Sequence, residues 1–279
     1  MSALSIRNVW VQYGGQIVLE RIALEIESGS FVAVVGPSGC GKTTFLRLLL
    51  GQEHPSRGSI LLDGKPMPAE PGPDRGVVFQ RYSVFPHLTV MGNVLLGAEL
   101  AGSPLLGRLF GARRRKAREE AHALLAEVGL DGTAAKYPAQ LSGGMQQRLA
   151  LAQALIRKPR VLLLDEPFGA LDPGIRGEIH ALMRKLWRET GVTVVMVTHD
   201  LREAFSLATR VVVFDRQRKL PEEQLRYGAS ITQNIAVHRR RGREPELQTE
   251  PQPELLSNSG RDDPASTERT CRDDPASTH

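Results

Sequence analysis

The residues between Gly36 and Thr43 have the types and the spacing needed to bind a phosphate group. They read Gly-Pro-Ser-Gly-Cys-Gly-Lys-Thr, which is a glycine, four residues of any type and then Gly-Lys-Thr. Glycines let successive backbone N–H groups turn inward around an anion, and a following helix points its positive end at the same anion. The pattern predicts an ATP site in which Lys42 contacts the β- and γ-phosphates and the Thr43 hydroxyl ligates Mg²⁺. The predicted phosphate-binding residues are Gly36, Pro37, Ser38, Gly39, Cys40, Gly41, Lys42, Thr43 and Thr44.

Two adjacent acids, Asp165 and Glu166, follow the apolar run Val161–Leu164. A buried strand that ends in two acids places their carboxylates at the edge of the sheet where ligands of open α/β folds bind. We expect Asp165 to hold Mg²⁺, directly or through water, and Glu166 to orient the attacking water or accept its proton. Alone, the same pattern could be a strand that runs into a solvated acidic turn. The glycine loop upstream favours the interpretation as a site.

A second helix start with anion-binding character lies at Leu141–Met145, which reads Leu-Ser-Gly-Gly-Met. A serine and two glycines at a helix N-terminus can bind an anion, although Ser142 could also be a simple helix cap. Together with Gln146-Gln147-Arg148, this segment resembles the signature of the ATP-binding-cassette (ABC) ATPases. The resemblance covers about residues 4–215, and Met145 stands where many members have glutamine. It implies that Ser142, Gly143 and Gly144 cap the γ-phosphate held by the glycine loop of a second copy.

Four further residues follow the order of motifs in this family. Tyr13 resembles the aromatic residue that stacks on adenine, although it could also be an ordinary tyrosine of an edge strand. Gln80 resembles the glutamine that senses Mg²⁺ and the γ-phosphate, Asp172 the loop that crosses the dimer interface, and His199 the histidine that contacts the γ-phosphate. The resemblance therefore implies a catalytic set of Lys42, Gln80, Glu166 and His199, and the Mg²⁺ ligands Thr43, Gln80 and Asp165.

Three segments resemble those of importers within this family. Tyr137–Gln140, before the signature, looks like the importer subunits, whereas Gln80–Gly97 and Tyr227–Ala229 are similar to the nitrate, sulfonate and taurine importer group. The resemblance implies membrane permease subunits as partners, an external solute-binding protein acting indirectly, and a peripheral position on the cytoplasmic face of the plasma (inner) membrane. The aromatic segment after Gln80 would dock a permease, although it could instead pack locally into the core.

Cassette ATPases without a transport role are the main alternative. Those of DNA repair and chromosome organisation need a long coiled coil or zinc modules, and the chain has neither sustained heptads nor a cysteine cluster. Ribosome-associated members carry two cassettes, whereas this chain has one. A regulator that binds nucleotide without hydrolysing it is a third possibility, which Glu166 and His199 disfavour. We therefore expect no nucleic-acid partner.

The composition is that of a protein with a sizeable aliphatic core. Of 279 residues, 41% are hydrophobic and 5% aromatic, and the net charge is +5. Cys40 and Cys271 lie far apart, which fits a reducing compartment. The N-terminus does not resemble a signal peptide, and no apolar run reaches the roughly 18 residues of a membrane span. The basic runs 113–116 and 239–241 could be solvated surface or could contact lipid headgroups or an acidic partner.

Strand and helix patterns alternate along the chain, which predicts an α/β fold with a mostly parallel sheet. The resemblance makes this a P-loop NTPase core with an antiparallel β subdomain and an inserted α-helical subdomain at about residues 89–153. The segment 103–115 is expected to be a loop. We expect the cassette to span 1–235 and residues 236–279, which are rich in Pro, Glu and Arg and repeat a heptapeptide at 261–267 and 272–278, to be disordered.

Overall fold

The computed structural model describes residues 2–80, 84–102, 109–217, 223, 226–238 and 246–249. The strands and helices in chain order are β1 Ser2–Tyr13, β2 Gln16–Glu27, β3 Phe31–Val35, α1 Lys42–Leu50, β4 Arg57–Leu62, β5 Lys65–Pro66, β6 Arg75–Val78, α2 Val90–Gly102, α3 Gly111–Glu127, α4 Gly143–Leu155, β7 Val161–Asp165, α5 Pro173–Thr190, β8 Thr193–Thr198, α6 Leu201–Leu207, β9 Arg210–Asp215, β10 Ser230–His238 and β11 Glu246–Thr249. A short 3₁₀ turn, Pro138–Gln140, precedes α4.

The larger sheet has seven strands in the order β11-β10-β9-β3-β8-β7-β6. The strands from β9 to β6 are parallel, and β10 and β11 add antiparallel to the edge. All five residues of β3 and all six of β8 are buried, as expected for strands covered on both faces. Because Val35 pairs with Thr198, and Asp165 with Val197, the carboxyl ends of β3, β7 and β8 lie together. This edge carries the predicted site.

The smaller sheet is antiparallel, with strand order β2-β1-β4-β5. Along β2, the buried Ile22, Leu24 and Ile26 alternate with exposed neighbours, so the period-2 pattern of the sequence is confirmed. The buried face of this sheet shares one hydrophobic core with α1 and with one side of the seven-stranded sheet, including Phe45 and Phe214. The two sheets therefore enclose α1, the helix that follows the glycine loop.

Helices α2, α3 and α4 are inserted between β6 and β7 and pack on one another. The predicted class, an α/β P-loop fold with an antiparallel sheet and an inserted helical subdomain, is thus confirmed. The loop prediction for 103–115 is wrong at its end, because α3 begins at Gly111. Ala117, Ala121 and Leu125 recur every four residues on the buried face of α3. The basic residues 113–116 belong to the first turns of the same helix and are exposed. Residues 103–108 lie outside the described part.

The boundary predicted at residue 236 is also wrong, because β10 continues to His238. Ile235 and Val237 are buried in the core; Ile235 pairs with Val211 of β9, and the Val237 N–H donates to the Thr209 carbonyl oxygen. The apolar alternation therefore extends past the shift in composition. β11 then pairs with β10 inside the segment predicted to be disordered. Residues 239–245 and 250–279, which include Cys271 and the repeated heptapeptide, lie outside the described residues. No helix of the described residues is long and apolar enough to cross a membrane.

Candidate nucleotide-binding and hydrolysis site

The glycine loop joins β3 to α1, and its glycines are required by close approach. A Cβ atom at Gly36 would overlap the backbone carbonyl oxygen of Phe214. At Gly41 the φ angle is +91°, and a Cβ atom would lie 2.7 Å from Leu19 Cδ2. Side chains at these positions are therefore excluded both by neighbouring atoms and by the left-handed backbone at Gly41. The loop keeps its shape because β9 and β2 enclose it.

Lys42 is the first residue of α1 and is 6% exposed. Its Nζ donates hydrogen bonds to the carbonyl oxygens of Gly36, at 2.7 Å, and Pro37, at 2.8 Å. The first turn of α1 holds no acidic side chain, so no carboxylate offsets the positive end of this helix. The loop thus combines a buried ammonium group and a helix N-terminus, the two features that attract a phosphate.

The side chain of Cys40, within the glycine loop, is buried. The side chain is 2% exposed and packs in the core that contains Phe45 and Phe214. Burial raises the pKa of the Cys40 thiol above its ordinary 9.0, with the charge of Lys42 opposing that rise. Only the backbone N–H of Cys40 could therefore face a phosphate.

Asp165 and Glu166 stand at the carboxyl end of β7 in different environments. Burial and then the charge of Glu166 raise the pKa of Asp165, whereas the charges of Arg47 and Lys42 lower it. Glu166 has a φ angle of +44°, a conformation that costs a non-glycine residue roughly 1–2 kcal/mol. Its N–H donates to the Val197 carbonyl oxygen at 2.9 Å, which holds the strained residue against β8. Strain retained at a sheet edge beside a phosphate loop is typical of functional positions.

His199 and Gln80 come to the same edge from β8 and β6, the strands on either side of β7. His199 Nδ1 lies 3.3 Å from Glu166 Oε1, and the imidazole is 61% exposed to solvent. Gln80 follows β6. A Cβ atom on Gly169, three residues after Glu166, would lie 3.8 Å from Gln80 Nε2. The predicted catalytic residues Lys42, Gln80, Glu166 and His199 thus border one edge of the parallel sheet. Their individual roles stay predictions.

The predicted Mg²⁺ ligands fit that ion by donor chemistry. A hydroxyl from Thr43, an amide oxygen from Gln80 and a carboxylate from Asp165 are oxygen donors, which hard cations prefer. The half-buried carboxylate of Asp165, whose pKa is raised, is a group that a nearby cation would stabilise in its charged form. Three or more His, Cys, Asp or Glu residues never cluster in metal-binding geometry within the described ranges. Phosphate oxygens and water would complete the coordination, as is usual for Mg²⁺.

Tyr13 ends β1 beside α1, and its side chain is accessible. The residue is 43% exposed, and its hydroxyl interacts with the side chains of Glu53 and Thr44. Partial burial and then Glu53 raise the pKa of Tyr13. Since Thr44 belongs to the predicted phosphate-binding residues, the ring stands next to the glycine loop. Stacking on adenine remains a prediction.

The signature segment forms a helix start of its own. Ser142 caps α4, and its Oγ accepts a hydrogen bond from the N–H of Met145 at 3.3 Å. Gly144 is buried against α5, where a Cβ atom would lie 2.6 Å from Ile175 Cγ2, whereas Ser142 and Gly143 are exposed. Within the described part of the chain, no hydrogen bond or ion pair joins Ser142–Gly144 to the glycine loop.

Asp172 is exposed and stands at the N-terminus of α5, directly before Pro173. Its side chain makes no capping hydrogen bond to that helix. The predicted site residues therefore fall into two groups. One group surrounds the glycine loop, and the other lies at the starts of α4 and α5, where Ser142, Gly143 and Asp172 are exposed.

Sequence reasoning missed buried polar residues that hold the loops around the site. Asn93 of α2 is fully buried, accepts a hydrogen bond from the Phe85 N–H at 2.7 Å, and donates to the carbonyl oxygens of Phe85, Leu88 and Thr89. It thereby fixes the loop Phe85–Thr89, whereas residues 81–83, directly after Gln80, lie outside the described part. A polar residue between the apolar Val90 and Val94 was the available signal.

Glu203 of α6 is the second missed residue, with a side chain only 5% exposed. Its Oε2 accepts a hydrogen bond from Thr198 Oγ1 at 2.9 Å, directly before His199. Burial raises the pKa of Glu203, an effect that the hydrogen bond from Thr198 opposes. The sequence gives no local sign of this contact, because the partners belong to different elements.

Comparison with known proteins identifies the family of the chain. A family model described as "ABC transporter" matches residues 19–169. The chain is 47% identical over 210 residues to the taurine import ATP-binding protein TauB of Escherichia coli O157:H7, an alignment that covers 75% of this chain and 78% of the relative. It is 45% identical to an Fe(3+) ions import ATP-binding protein, FbpC 1, of Rhizobium meliloti (strain 1021), covering 74% of this chain and 57% of that protein.

Solved structures resemble the fold and include dimers. A dimeric structure of a bacterial ABC transporter cassette aligns at a TM-score of 0.63 and 34% identity, covering 75% of this chain and 93% of that one. A dimeric post-hydrolysis cassette bound to ADP and phosphate aligns at a TM-score of 0.65 and 31% identity, covering 84% and 98%.

Proposed function

Because the chain belongs to the ABC transporter family and is an ATP-hydrolysing member of it, we propose that it is the ATPase subunit of an importer and works as a pair of identical copies. The observation that carries the proposal is the separation of its two groups of site residues. The glycine loop, Glu166 and His199 share one sheet edge, whereas Ser142 and Asp172 are exposed elsewhere on the chain.

In the proposed reaction, Lys42 exchanges its two carbonyl acceptors for the oxygens of the β- and γ-phosphates. Glu166 orients the attacking water through its carboxylate, and His199, 3.3 Å from that carboxylate, contacts the γ-phosphate. Thr43, Asp165 and Gln80 would hold Mg²⁺, which neutralises charge on the phosphates when it is bound. Tyr13 would stack on the adenine, and the backbone N–H groups of the loop would surround the β-phosphate.

The second copy would supply the cap on the γ-phosphate that the glycine loop of one chain lacks. The start of α4, with Ser142 and Gly143 exposed, would cap the γ-phosphate of the partner, and Asp172 would cross the interface. Dimeric structures of related cassettes support this arrangement. Closure would depend on the γ-phosphate, because that is the group both copies contact.

Membrane permease subunits are the proposed partners of the segment after Gln80. Phe85 is 39% exposed, while Asn93 ties down the backbone behind it, so an apolar side chain is presented on a fixed loop. The cassette pair would then sit on the cytoplasmic face of the plasma (inner) membrane and receive the signal of an external solute-binding protein through the permease. Deleting the cassette should abolish uptake, and an affinity-tagged chain should co-purify permease subunits.

The proposed solute is a small anion such as nitrate, a sulfonate or taurine. The support is the name of the 47% identical relative, and an iron-import relative is almost as similar. The cassette itself would not touch the solute, since specificity would reside in the permease and binding protein. Uptake assays with radiolabelled taurine and nitrate in the same cells, with and without the chain, would separate these solutes.

A mixing experiment tests the shared site directly. Lys42→Ala should disable the glycine loop of one chain and Ser142→Arg the signature of the other, so each variant alone is inactive. In a mixed dimer, the intact loop of one chain meets the intact signature of the other. Mixing the inactive variants should therefore restore ATPase activity and vanadate trapping of nucleotide at roughly one site per mixed dimer. Absence of both signals in verified mixed dimers would refute the shared site.

A further inference from the structure

Arg176 joins two loops that the site uses and also contacts helix α6. It lies in the first turn of α5, and its Nη2 donates a hydrogen bond to the carbonyl oxygen of Leu171 at 3.2 Å, directly before Asp172. Its Nη1 lies 3.6 Å from Asp200 Oδ2, and its Nε lies 3.7 Å from Glu203 Oε1. One guanidinium therefore spans the loop before α5 and the loop between β8 and α6.

The loop between β8 and α6, which contains His199, is held by hydrogen bonds. Thr198 Oγ1 donates to Glu203 Oε2 at 2.9 Å and accepts a hydrogen bond from the Asp200 N–H at 3.0 Å. Asp200 Oδ1 accepts hydrogen bonds from the N–H groups of Arg202 and Glu203, which caps α6. Both neighbours of His199 in sequence are thus held by groups that Arg176 contacts.

We propose that Arg176 is a positioning residue that sets the loop of Asp172 and the loop of His199 in one relative arrangement. This inference rests on the proposed function, in which Asp172 meets the second copy and His199 meets the γ-phosphate. A shift of Leu171–Asp172 upon docking of the second copy then moves the guanidinium. Through Glu203 and Asp200, that movement reaches His199 and its contact with Glu166.

Arginine is suited to this place because of its planar, forked donors. A lysine ammonium is a single point of charge and cannot address a carbonyl oxygen and two separate carboxylates in fixed directions. Glu203 also requires a cation, because a buried carboxylate without a partner is strongly unfavourable. Arg176 therefore holds the two loops together and also pairs with the buried carboxylate of Glu203.

The test compares Arg176→Gln and Arg176→Lys with Arg184→Gln. Arg184 lies two turns further along the same helix, and its Nη1 donates to the carbonyl oxygen of Ser206, so it is a matched control away from Asp200 and Glu203. We expect Arg176→Gln to lower kcat on the order of tenfold, with the KM for ATP changed less than about threefold, because Arg176 is not one of the proposed nucleotide-binding residues. Arg176→Lys should recover part of kcat, and Arg184→Gln should leave it unchanged.

A double substitution guards against mere misfolding. In Arg176→Gln with Glu203→Gln no buried charge remains unpaired, so the unfolding temperature should return toward that of the parent while kcat stays low. If kcat recovers together with stability, Arg176 is only structural and the inference is overturned. Equal kcat losses in Arg176→Gln and Arg184→Gln would overturn it as well.

His199→Ala, measured in parallel, separates this inference from the proposed function. Parent-like turnover of His199→Ala would refute the role given to His199 itself. Loss of turnover in His199→Ala, together with parent-like turnover in Arg176→Gln, would refute only the positioning role of Arg176.

Discussion

The glycine loop and the signature segment are both helix N-termini, yet they differ in how much of their surroundings one chain provides. At the glycine loop, Lys42 is buried and bonded, and strands from both sheets close in on Gly36 and Gly41. At the signature, Ser142 bonds only to its own helix and faces outward. The surroundings of the glycine loop are therefore built within one chain, whereas Ser142 of the signature faces solvent and, in the proposed function, meets a second copy. Binding and hydrolysis should accordingly respond differently to substitution.

The largest effect should come from Glu166→Gln. Loss of the carboxylate that orients water should lower ATP hydrolysis at least roughly 100-fold, while ATP affinity is kept, because Lys42 and the loop are untouched. Steady-state ATPase assays and nucleotide titrations measure the two quantities. Glu178→Gln, which changes an exposed acid of α5 paired with Arg148, is the control and should behave like the parent. Near-parental turnover in Glu166→Gln would contradict the assignment.

Ser142→Arg should separate binding from hydrolysis at the other region. A bulky cation on the exposed cap should block closure of two copies and reduce hydrolysis by about 100-fold, a loss of the size seen when one transition-state contact is removed. ATP binding to the single chain should persist, as judged by equilibrium binding. Ser142→Ala removes only the cap bond and should cost about 1 kcal/mol of stability. If Ser142→Arg also abolishes ATP binding, the two regions are not independent.

Gly36→Ala should show how tightly the glycine loop is packed. The added methyl group would meet the Phe214 carbonyl, so the free energy of unfolding should fall by roughly 2 kcal/mol in urea titrations. Gly174→Ala is the matched control, because a Cβ atom there has no neighbour within 4 Å. Equal stability of the two variants would mean that the loop yields more easily than its contacts indicate.

Helix α5, which packs under the signature at Gly144, carries a pH-dependent contribution to stability. Burial, followed by the charges of Arg184 and Arg176, lowers the pKa of His180 from 6.5 to about 4. Between these values the unfolded chain binds more protons than the folded one, so stability rises with pH there and is lost as the pH falls from about 6.5 toward 4. Unfolding titrations should show this slope, and His180→Leu should flatten it. An unchanged slope in His180→Leu would assign the effect to other groups.

The smallest effect concerns Cys40, beneath the glycine loop. Since its thiol is buried and its pKa is raised, maleimide should label the folded chain slowly, and ATP should alter the labelling rate little. Labelling after denaturation supplies the reference rate. Rapid labelling that ATP suppresses would mean that the thiol faces the phosphates after all.

Short motifs locate the candidate site because each describes local backbone geometry. A glycine loop, two acids after an apolar run and a serine before a helix each describe the backbone geometry of a few residues. Family resemblance put His199 and Gln80 with them, and the structure brings both to the same sheet edge. Arg176, Glu203 and Asn93 escaped prediction because each acts through partners on other elements. Residues 111–115 and 236–238 were misassigned because composition outweighed the burial of their neighbours.

The sequence by itself determined which groups the candidate site offers: the glycine loop Gly36–Thr43, the acids Asp165 and Glu166, and a second helix start at Ser142. These follow from residue type and from hydrogen bonds between near neighbours in the chain. Only the tertiary structure decided that the Cys40 thiol is buried, that Ser142 faces outward, and that Arg176 reaches Glu203. The physical reason is that burial and through-space contact depend on how distant elements pack, which no short segment specifies.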